Sequence, residues 1–513
     1  MEKSYTKAYF SIYIFQFLSV VLGVLSLFIV VPYLSSNKFI FGIYSICVSL
    51  TIYFNYADMG FVTSGQKFVA EAFAKGDKKS ELEIISFVTF LLLLFMSFVS
   101  LVILLFSYNP HWLISGLISL DDVEIARKLL LILAFSSPII AFQRILSIIY
   151  SVRMEDYKYQ RILIVGNLLK ILSVFFFFSG GEYRIVEYYL FFQITTFVVT
   201  FVSFIYAISL YSYNIKLFLL NIRFNIVIFN KLKKLAYASL FSMLCWVLYY
   251  ELDQIVIGKL MNPINVSVYA IAFSVLTLFR TFLGVIYSPF TSRFNHFIAI
   301  NDRDGLKKMF LFVTKILFPF SVFPILIVSL LAEPFLYSWV GIEYNQSVDL
   351  TSLLVFCNIF AFFSYPAQAY IVASSQIRAL YVIALVNVIV FWTGILLFFN
   401  SLELYSFAIF KVSTFVLSAI FYFRVVMSLL SSSKMNYFIE LSKKSLLPVV
   451  TIIILCIFVK PYMFFEKGVE ELCGNMIIMI IIMIIGCILS IFTFSEVREY
   501  MDKIKHLYYK KED

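Results

Sequence analysis

The stretch ASLFSMLCWVLYYELDQIVIGKL, residues 238–260, decides the fold. As a helix rising ~1.5 Å per residue it is long enough to cross roughly 30 Å of hydrocarbon. Yet Glu251 and Asp253 lie in its outer third, and a charge at helix centre costs about 2.5–3.5 kcal/mol on insertion scales. A helix surrounded by lipid has no use for both. The stretch therefore borders water or other polar groups inside a bundle. It also restarts a pattern met near the N-terminus, which makes it the seam between two halves of the chain.

Composition agrees. Of 513 residues 62% are hydrophobic and 14% charged, with a mean hydropathy of +0.96. A soluble protein of this length does not bury so much apolar surface, so the bilayer is most of its solvent. The 60 Phe and 34 Tyr suit lipid contact and interfacial belts. A net charge of +10 fits basic cytoplasmic loops, and nothing reads as a nucleic-acid binder. The cysteines (Cys47, Cys245, Cys357, Cys456, Cys473, Cys487) form no CxxC pair, so neither a disulfide framework nor a zinc site is indicated. His111, His296 and His506 share no ligand spacing, and no cofactor is expected. The apolar run 9–31 is too long for a signal-peptide core and reads as a retained helix.

Runs of about 18 or more apolar residues mark about fourteen spans. Their limits are near 9–33, 39–64, 84–106, 128–151, 160–179, 186–212, 235–258, 266–290, 309–331, 351–374, 379–399, 404–428, 445–460 and 475–494. Cations segregate to alternate loops. One side holds Lys67, Lys75, Lys78 and Lys79; Arg153, Lys158 and Arg161; Arg293, Arg303, Lys307 and Lys308; Lys434, Lys443 and Lys444. The tail adds Arg498, Lys503, Lys505, Lys510 and Lys511, while the opposite loops keep Lys38, Arg184, Lys259 and Lys467. Both termini are then cytoplasmic, which requires an even number of spans. Between spans six and seven, NIKLFLLNIRFNIVIFNKLKK (214–234) alternates apolar and basic residues. It reads as an interfacial helix on the anionic cytoplasmic leaflet, or as an ordinary basic loop.

The halves repeat. LSSNKFIFGIYSI (34–46) answers LMNPINVSVYAI (260–271), Leu34 matching Leu260 and Tyr44 matching Tyr269. KFVAEAFAKGDKK from Lys67 answers RFNHFIAINDRDGLKK from Arg293, at an offset near 225 residues. Spans one to six thus map onto seven to twelve as parallel repeats, an arrangement that places a cavity between the halves. The expected fold is an all-α integral membrane protein. Its pseudo-symmetric lobes are 1–212 and 235–428, joined by 213–234, and 429–513 adds two spans and a cytoplasmic tail.

Several spans carry charge at depth. Arg280 in span eight shares a stripe with Ser274, Thr277, Thr281, Gly284 and Ser288. Arg144 in span four sits with Ser137, Ala141, Ser147 and Ser151; Lys170 in span five has Gly166, Asn167 and Ser173 nearby; Lys411 in span twelve has Thr414 and Ser418. Asp58 and Lys315 stand near the inner ends of spans two and nine. In one reading these charges pair, Arg144 with Asp58 for instance, or snorkel to the interface, which suits Lys315 and Asp58. In the other, favoured for Arg280 and Lys170, they line a wet cavity. Surplus cations there suit an anionic passenger such as a phosphate, pyrophosphate or acidic sugar. Glu251 and Asp253, two positions apart, point to different faces and are no acid/base pair. With Asp58 they are candidates for ion coupling or gating; alternatively they are wetted helix-end carboxylates or partners of Lys259. Pro138, Pro319, Pro324 and Pro366 are expected to kink their helices.

Three segments, YFNYADMGFVTSGQKFVAEAFAKGDKK (53–79), LDQIVIGKLMNPINVSVYAIAFSV (252–275) and SWVGIEYNQSVDLTSLLVF (338–356), carry a family resemblance. They are similar to the Wzx-type polysaccharide flippases, exporters of O-antigen or capsule repeat units in the multidrug/oligosaccharidyl-lipid/polysaccharide superfamily. The resemblance implies a V-shaped bundle of six plus six helices with two more at the C-terminus. It implies that undecaprenyl-pyrophosphate-linked oligosaccharide crosses a bacterial cytoplasmic membrane by alternating access, with a polymerase and a chain-length regulator as pathway partners. The head group would occupy a cationic cavity while the polyprenyl tail stays in lipid near spans one and eight, where Arg280 is well placed. A multidrug antiporter of the same superfamily would instead be expected to have an acidic cavity. A membrane polymerase or glycosyltransferase would be expected to show a large outer loop or an acidic catalytic motif, and the outer loops here run to about twenty residues at most.

Overall fold

Inside a bilayer every backbone N–H and C=O must be satisfied within the protein, so apolar runs of this length become helices. The computed structural model describes residues 2–300, 302–374, 376–430 and 435–493. Lys434, His506 and the tail cations from Arg498 to Lys511 lie outside the described residues. The chain forms two compact units, residues 1–270 and 271–513. The first holds α1 (Glu2–Leu34), α2 (Lys38–Ser49), α3 (Thr51–Tyr56), α4 (Phe61–Ala74), α5 (Lys78–Tyr108), α6 (Leu120–Ser151), α7 (Asp156–Phe177), α8 (Ile185–Tyr211), α9 (Ile215–Leu220), α10 (Ile226–Trp246) and α11 (Asp253–Leu260). The division falls within α12 (Pro263–Ala299). The second unit continues with α13 (Arg303–Ile316), α14 (Phe318–Leu330), α15 (Ala332–Val340), α16 (Gln346–Phe356), α17 (Ala361–Ala373), α18 (Ile377–Leu402), α19 (Leu404–Leu430), α20 (Met435–Val459) and α21 (Val469–Thr493).

Each predicted span falls on one of these helices or on a broken run of them. Among the described residues twelve helices are long and apolar enough to cross a membrane. Span seven is a broken pair, Ser239–Glu251 and Asp253–Leu260, bent by 47°. Span two is shorter: an apolar Lys38–Phe54 followed by an elbow at Asp58–Gly60. There Met59 and Gly60 take φ of 47° and 78°, a left-handed geometry glycine adopts without strain. A Cβ on Gly60 would lie 2.4 Å from the Ala236 carbonyl oxygen, so α10 rides directly on the elbow. The first turns of α10 bury Ile228, Leu232 and Ala236, a stripe of period four facing inward.

The internal repeat reappears as capping chemistry. Asn37 accepts from the Ile40 N–H at 3.2 Å and Asn262 from the Asn265 N–H at 3.0 Å. Asp77 accepts from the Ser80 N–H at 3.0 Å and Asp302 from the Gly305 N–H at 2.8 Å. Both pairs keep the offset of roughly 225 residues, and each such cap typically stabilises its helix by ~1 kcal/mol. The Ser80 N–H also holds the Asp77 carboxyl below the usual carboxylate range. The two halves therefore start corresponding helices with the same residue types.

Residues 214–234 are not one helix. Asn214 caps the six-residue α9, the chain turns, and Asn225 caps α10, whose opening turns contain Lys231, Lys233 and Lys234. Pro138, Pro324 and Pro366 lie inside helices, and the break between α13 and α14 falls two residues before Pro319.

In the second unit the C-terminal parts of α12, α17 and α19 and the start of α13 close over Phe294, Leu306, Phe310, Phe363, Ala367, Tyr370 and Val426. The hairpin of α20 and α21 docks on α14 and α15. Its tie is the fully buried Asn475. The amide nitrogen donates to the Pro334 carbonyl at 3.0 Å, the Ser338 hydroxyl at 3.0 Å and the Phe464 carbonyl at 2.8 Å. Its oxygen accepts from the Phe464 N–H at 3.0 Å. Ser338 and Trp339 of SWVGIEYNQ are thus buried at a helix junction, closed by Gly341 at φ 101°.

Candidate functional site

In the second unit Arg280 is half-buried on α12, on the predicted stripe with half-buried Thr277 and exposed Thr281. One turn further on, a Cβ added to Gly284 would meet no atom within 4 Å, so this stripe borders open space. The stripe is small and hydroxylated, and the hydroxyls of Thr277 and Thr281 are used within the helix. Tyr365 of α17 lies within electrostatic range of Arg280. Its ring stacks on Tyr287 at 5.2 Å, and the Tyr287 and Ser321 hydroxyls share a 2.6 Å hydrogen bond.

Lys411 of α19 is wholly buried, at 0% exposure. Its Nζ stands 5.0 Å from the Phe273 ring centroid and 5.6 Å from that of Phe391, contacts worth ~2 kcal/mol when desolvated. Phe273 and Arg280 share one face of α12, about two turns or ~10 Å apart. Lys411 and Arg280 therefore address neighbouring levels of one helix face. Nearby, Asn387 and Ser418 exchange hydrogen bonds of 2.8 and 2.9 Å.

In the first unit Arg144 is half-buried and within electrostatic range of Asp58 and of the Tyr159 phenol. Asp58 is buried at the elbow and accepts from the Gly60 and Val62 N–H groups at 3.2 and 3.3 Å. It starts α4 instead of snorkelling. In the second unit Lys315, also expected to snorkel, is buried where α13 meets α14. Lys170 is half-buried, its Nζ 3.9 Å from the centroid of Phe192 on α8.

Span seven departs from a regular helix where its acids sit. Residues Val247–Glu251 form a π-helical turn, a form that frequently marks functional positions. Trp246 stacks on Tyr250 at 4.4 Å and donates through Nε1 to Glu251 at 3.3 Å. Asp253 is buried and accepts from the Tyr269 hydroxyl. Lys259 donates to the His111 carbonyl at 3.1 Å. Arg144, Lys170, Asp58, Glu251 and Asp253 thus belong to the first unit, Arg280 and Lys411 to the second.

A further charge cluster went unpredicted. Arg153, read from sequence as a loop cation, pairs with Glu81 at 2.5 Å, with side chains only 9% and 1% exposed. Tyr213 donates to the same carboxylate, Tyr211 donates to Glu155 at 2.6 Å, and Arg153 also donates to the Ile149 carbonyl at 3.1 Å. The guanidinium is boxed by Phe73, Tyr211 and Tyr213 at 4.7, 4.3 and 5.4 Å. Burial, then the Glu81 carboxylate, push the Tyr213 phenol up and keep it protonated. The available signal was Glu81 in the first turn of a helix that becomes wholly apolar a few residues further on.

The chain is a multi-pass membrane protein with the fold of the MOP-superfamily transporters. A family model described as MatE matches residues 238–396. Comparison with curated protein sequences returns no match. Among solved structures the chain is similar to the lipid II flippase MurJ in an inward closed conformation, with TM-score 0.68 and 16% identity over 96% of this chain and 99% of that one. It is also similar to an inward-facing multidrug resistance MATE-family transporter of the MOP superfamily, with TM-score 0.64 and 16% identity over 80% of this chain and 96% of that one. An outward-facing conformation of a MATE-family transporter matches with TM-score 0.56, again at 16% identity, over 82% and 95%. At these identities the likeness establishes the fold.

Proposed function

We propose that the protein is a flippase, not an enzyme, that moves undecaprenyl-pyrophosphate-linked oligosaccharide from the cytoplasmic to the outer leaflet. The observation that carries this reading is Arg280: a half-buried guanidinium at membrane depth on a small, hydroxylated stripe beside open space. Arg144, Lys170 and Lys411 add positive charge at depth in both units. The nearby acids are engaged locally, Asp58 on two backbone N–H groups and Asp253 on Tyr269. A guanidinium fork recognises phosphate oxygens in pairs, so pyrophosphate or an acidic sugar is the head group that fits. The repeats 1–212 and 235–428 act as the two lobes of an alternating-access cycle. Glu251 and Asp253, on the irregular turn of span seven, couple that cycle to an ion or gate it, with Asp58 at the elbow of span two. The membrane is the bacterial cytoplasmic membrane with both termini inside, and a polymerase and chain-length regulator act on the product.

A second reading, multidrug export, is favoured by the MatE match over span seven and its acids. The readings separate in one assay. Proteoliposomes holding the purified chain should translocate a fluorescent polyprenyl-pyrophosphate oligosaccharide and show no gradient-driven uptake of cationic dyes. Dye transport without glycan-lipid movement would overturn the flippase reading.

A further inference from the structure

We infer that residues 214–227, between α8 and α10, form a binding surface for anionic phospholipid head groups on the cytoplasmic leaflet. The inference does not depend on which substrate is carried. Connectivity sets the level: one membrane span ends at Tyr211 and the helix of span seven begins at Ile226. The segment is anchored to the first unit from one side. Phe218 is buried with its ring centroid 5.7 Å from that of Phe204, and Phe224 reaches Phe87 at 6.0 Å.

The opposite side has the character of an interface. Ile215, Leu219, Leu220, Ile226 and Val227 are all exposed, an apolar strip that water does not favour. Lys216 and Arg223 stand exposed among them, and Lys231 and Lys234 follow on the exposed side of α10. Aliphatic side chains interspersed with cations fit the boundary between acyl chains and phosphates. An RNA or an acidic protein would find the cations but gain nothing from the exposed aliphatic side chains. Each cation near an anionic leaflet strengthens attachment about fivefold. Neutralising two should weaken it by roughly 25-fold if their effects multiply.

Hydrogen–deuterium exchange on the full chain in nanodiscs tests this. In phosphatidylcholine containing phosphatidylglycerol, residues 214–227 should exchange at least fivefold more slowly than in phosphatidylcholine alone. The Lys216→Gln/Arg223→Gln variant should lose that difference while its membrane spans exchange as in the wild type. Native mass spectrometry should show the wild type retaining phosphatidylglycerol in preference to phosphatidylcholine, and the variant showing no preference. Equal exchange of the wild type in both bilayers would mean apolar immersion without head-group recognition and would overturn the inference. So would a variant that keeps the lipid-dependent difference or the preference.

Discussion

Replacing Arg280 with alanine is expected to lower the rate of lipid-linked oligosaccharide translocation about 100-fold, since truncating one partner of a hydrogen-bonded charge pair costs 2–5 kcal/mol and each ~1.4 kcal/mol is tenfold. The protein should still fold and reach the membrane. Arg280 is half-buried, and one turn away a Cβ on Gly284 would meet no atom within 4 Å. Lysine at this position keeps the charge but loses the planar fork. A rate about tenfold below wild type is therefore expected for Arg280→Lys, because one point contact replaces a bidentate one. The measurement is a leaflet-protection assay in proteoliposomes with protein amounts matched. Wild-type translocation by Arg280→Ala would remove this residue from the mechanism. Equal defects in the alanine and lysine variants would mean that geometry, not charge, is what Arg280 supplies.

The second large effect concerns stability. Glu81→Ala should destabilise the protein by ~3–5 kcal/mol, the usual cost of leaving one member of a buried ion pair without its partner. With the carboxylate gone, Arg153 and the Tyr213 hydroxyl lose a shared acceptor, in a site with side chains 9% and 1% exposed. Aromatic rings on three sides keep the guanidinium from reaching water cheaply. The Glu81→Leu/Arg153→Met double variant should recover part of the loss, because replacing a whole buried pair by apolar groups is often neutral. Thermal unfolding of detergent-purified protein, read as a double-mutant cycle, supplies the coupling energy. A single variant that melts with the wild type would show that the pair is dispensable. The cluster joins the ends of α5, α6 and α8 at one side of the first unit, so a weakened pair should also speed proteolysis there.

Apolar run length fixed the spans, since the bilayer leaves the backbone no alternative to helix. Spans two and seven fell where expected, but the elbow at Asp58–Gly60 and the irregular turn Val247–Glu251 were not foreseen. The repeat was visible as matched tyrosines and basic loops, but its chemical basis, Asn37 with Asn262 and Asp77 with Asp302 as caps, needed hydrogen-bond geometry. Depth along a helix is legible from position; the partner across a helix pair is not. Lys170 over Phe192 and Lys411 between Phe273 and Phe391 therefore could not be foreseen. Positive-inside counting treats Arg153 as one more loop cation and is blind to burial, so its pairing with Glu81 passed unseen. Residues 214–234 mislead for a related reason. Alternating basic and apolar residues suggest one interfacial helix, whereas Asn225 caps a new helix and divides the segment in two.

The central claim is that cations at membrane depth face water and receive an anionic head group. Thiol accessibility tests it most directly. In a background with the six native cysteines replaced, Arg280→Cys and Lys170→Cys should react with a membrane-impermeant charged thiosulfonate. Excess polyprenyl-pyrophosphate oligosaccharide should slow the reaction. Leu396→Cys, on an apolar position 80% exposed on α18, is the lipid-facing control and should stay unreactive. Arg280→Cys and Lys170→Cys as inert as that control, from either side of the membrane, would contradict the claim.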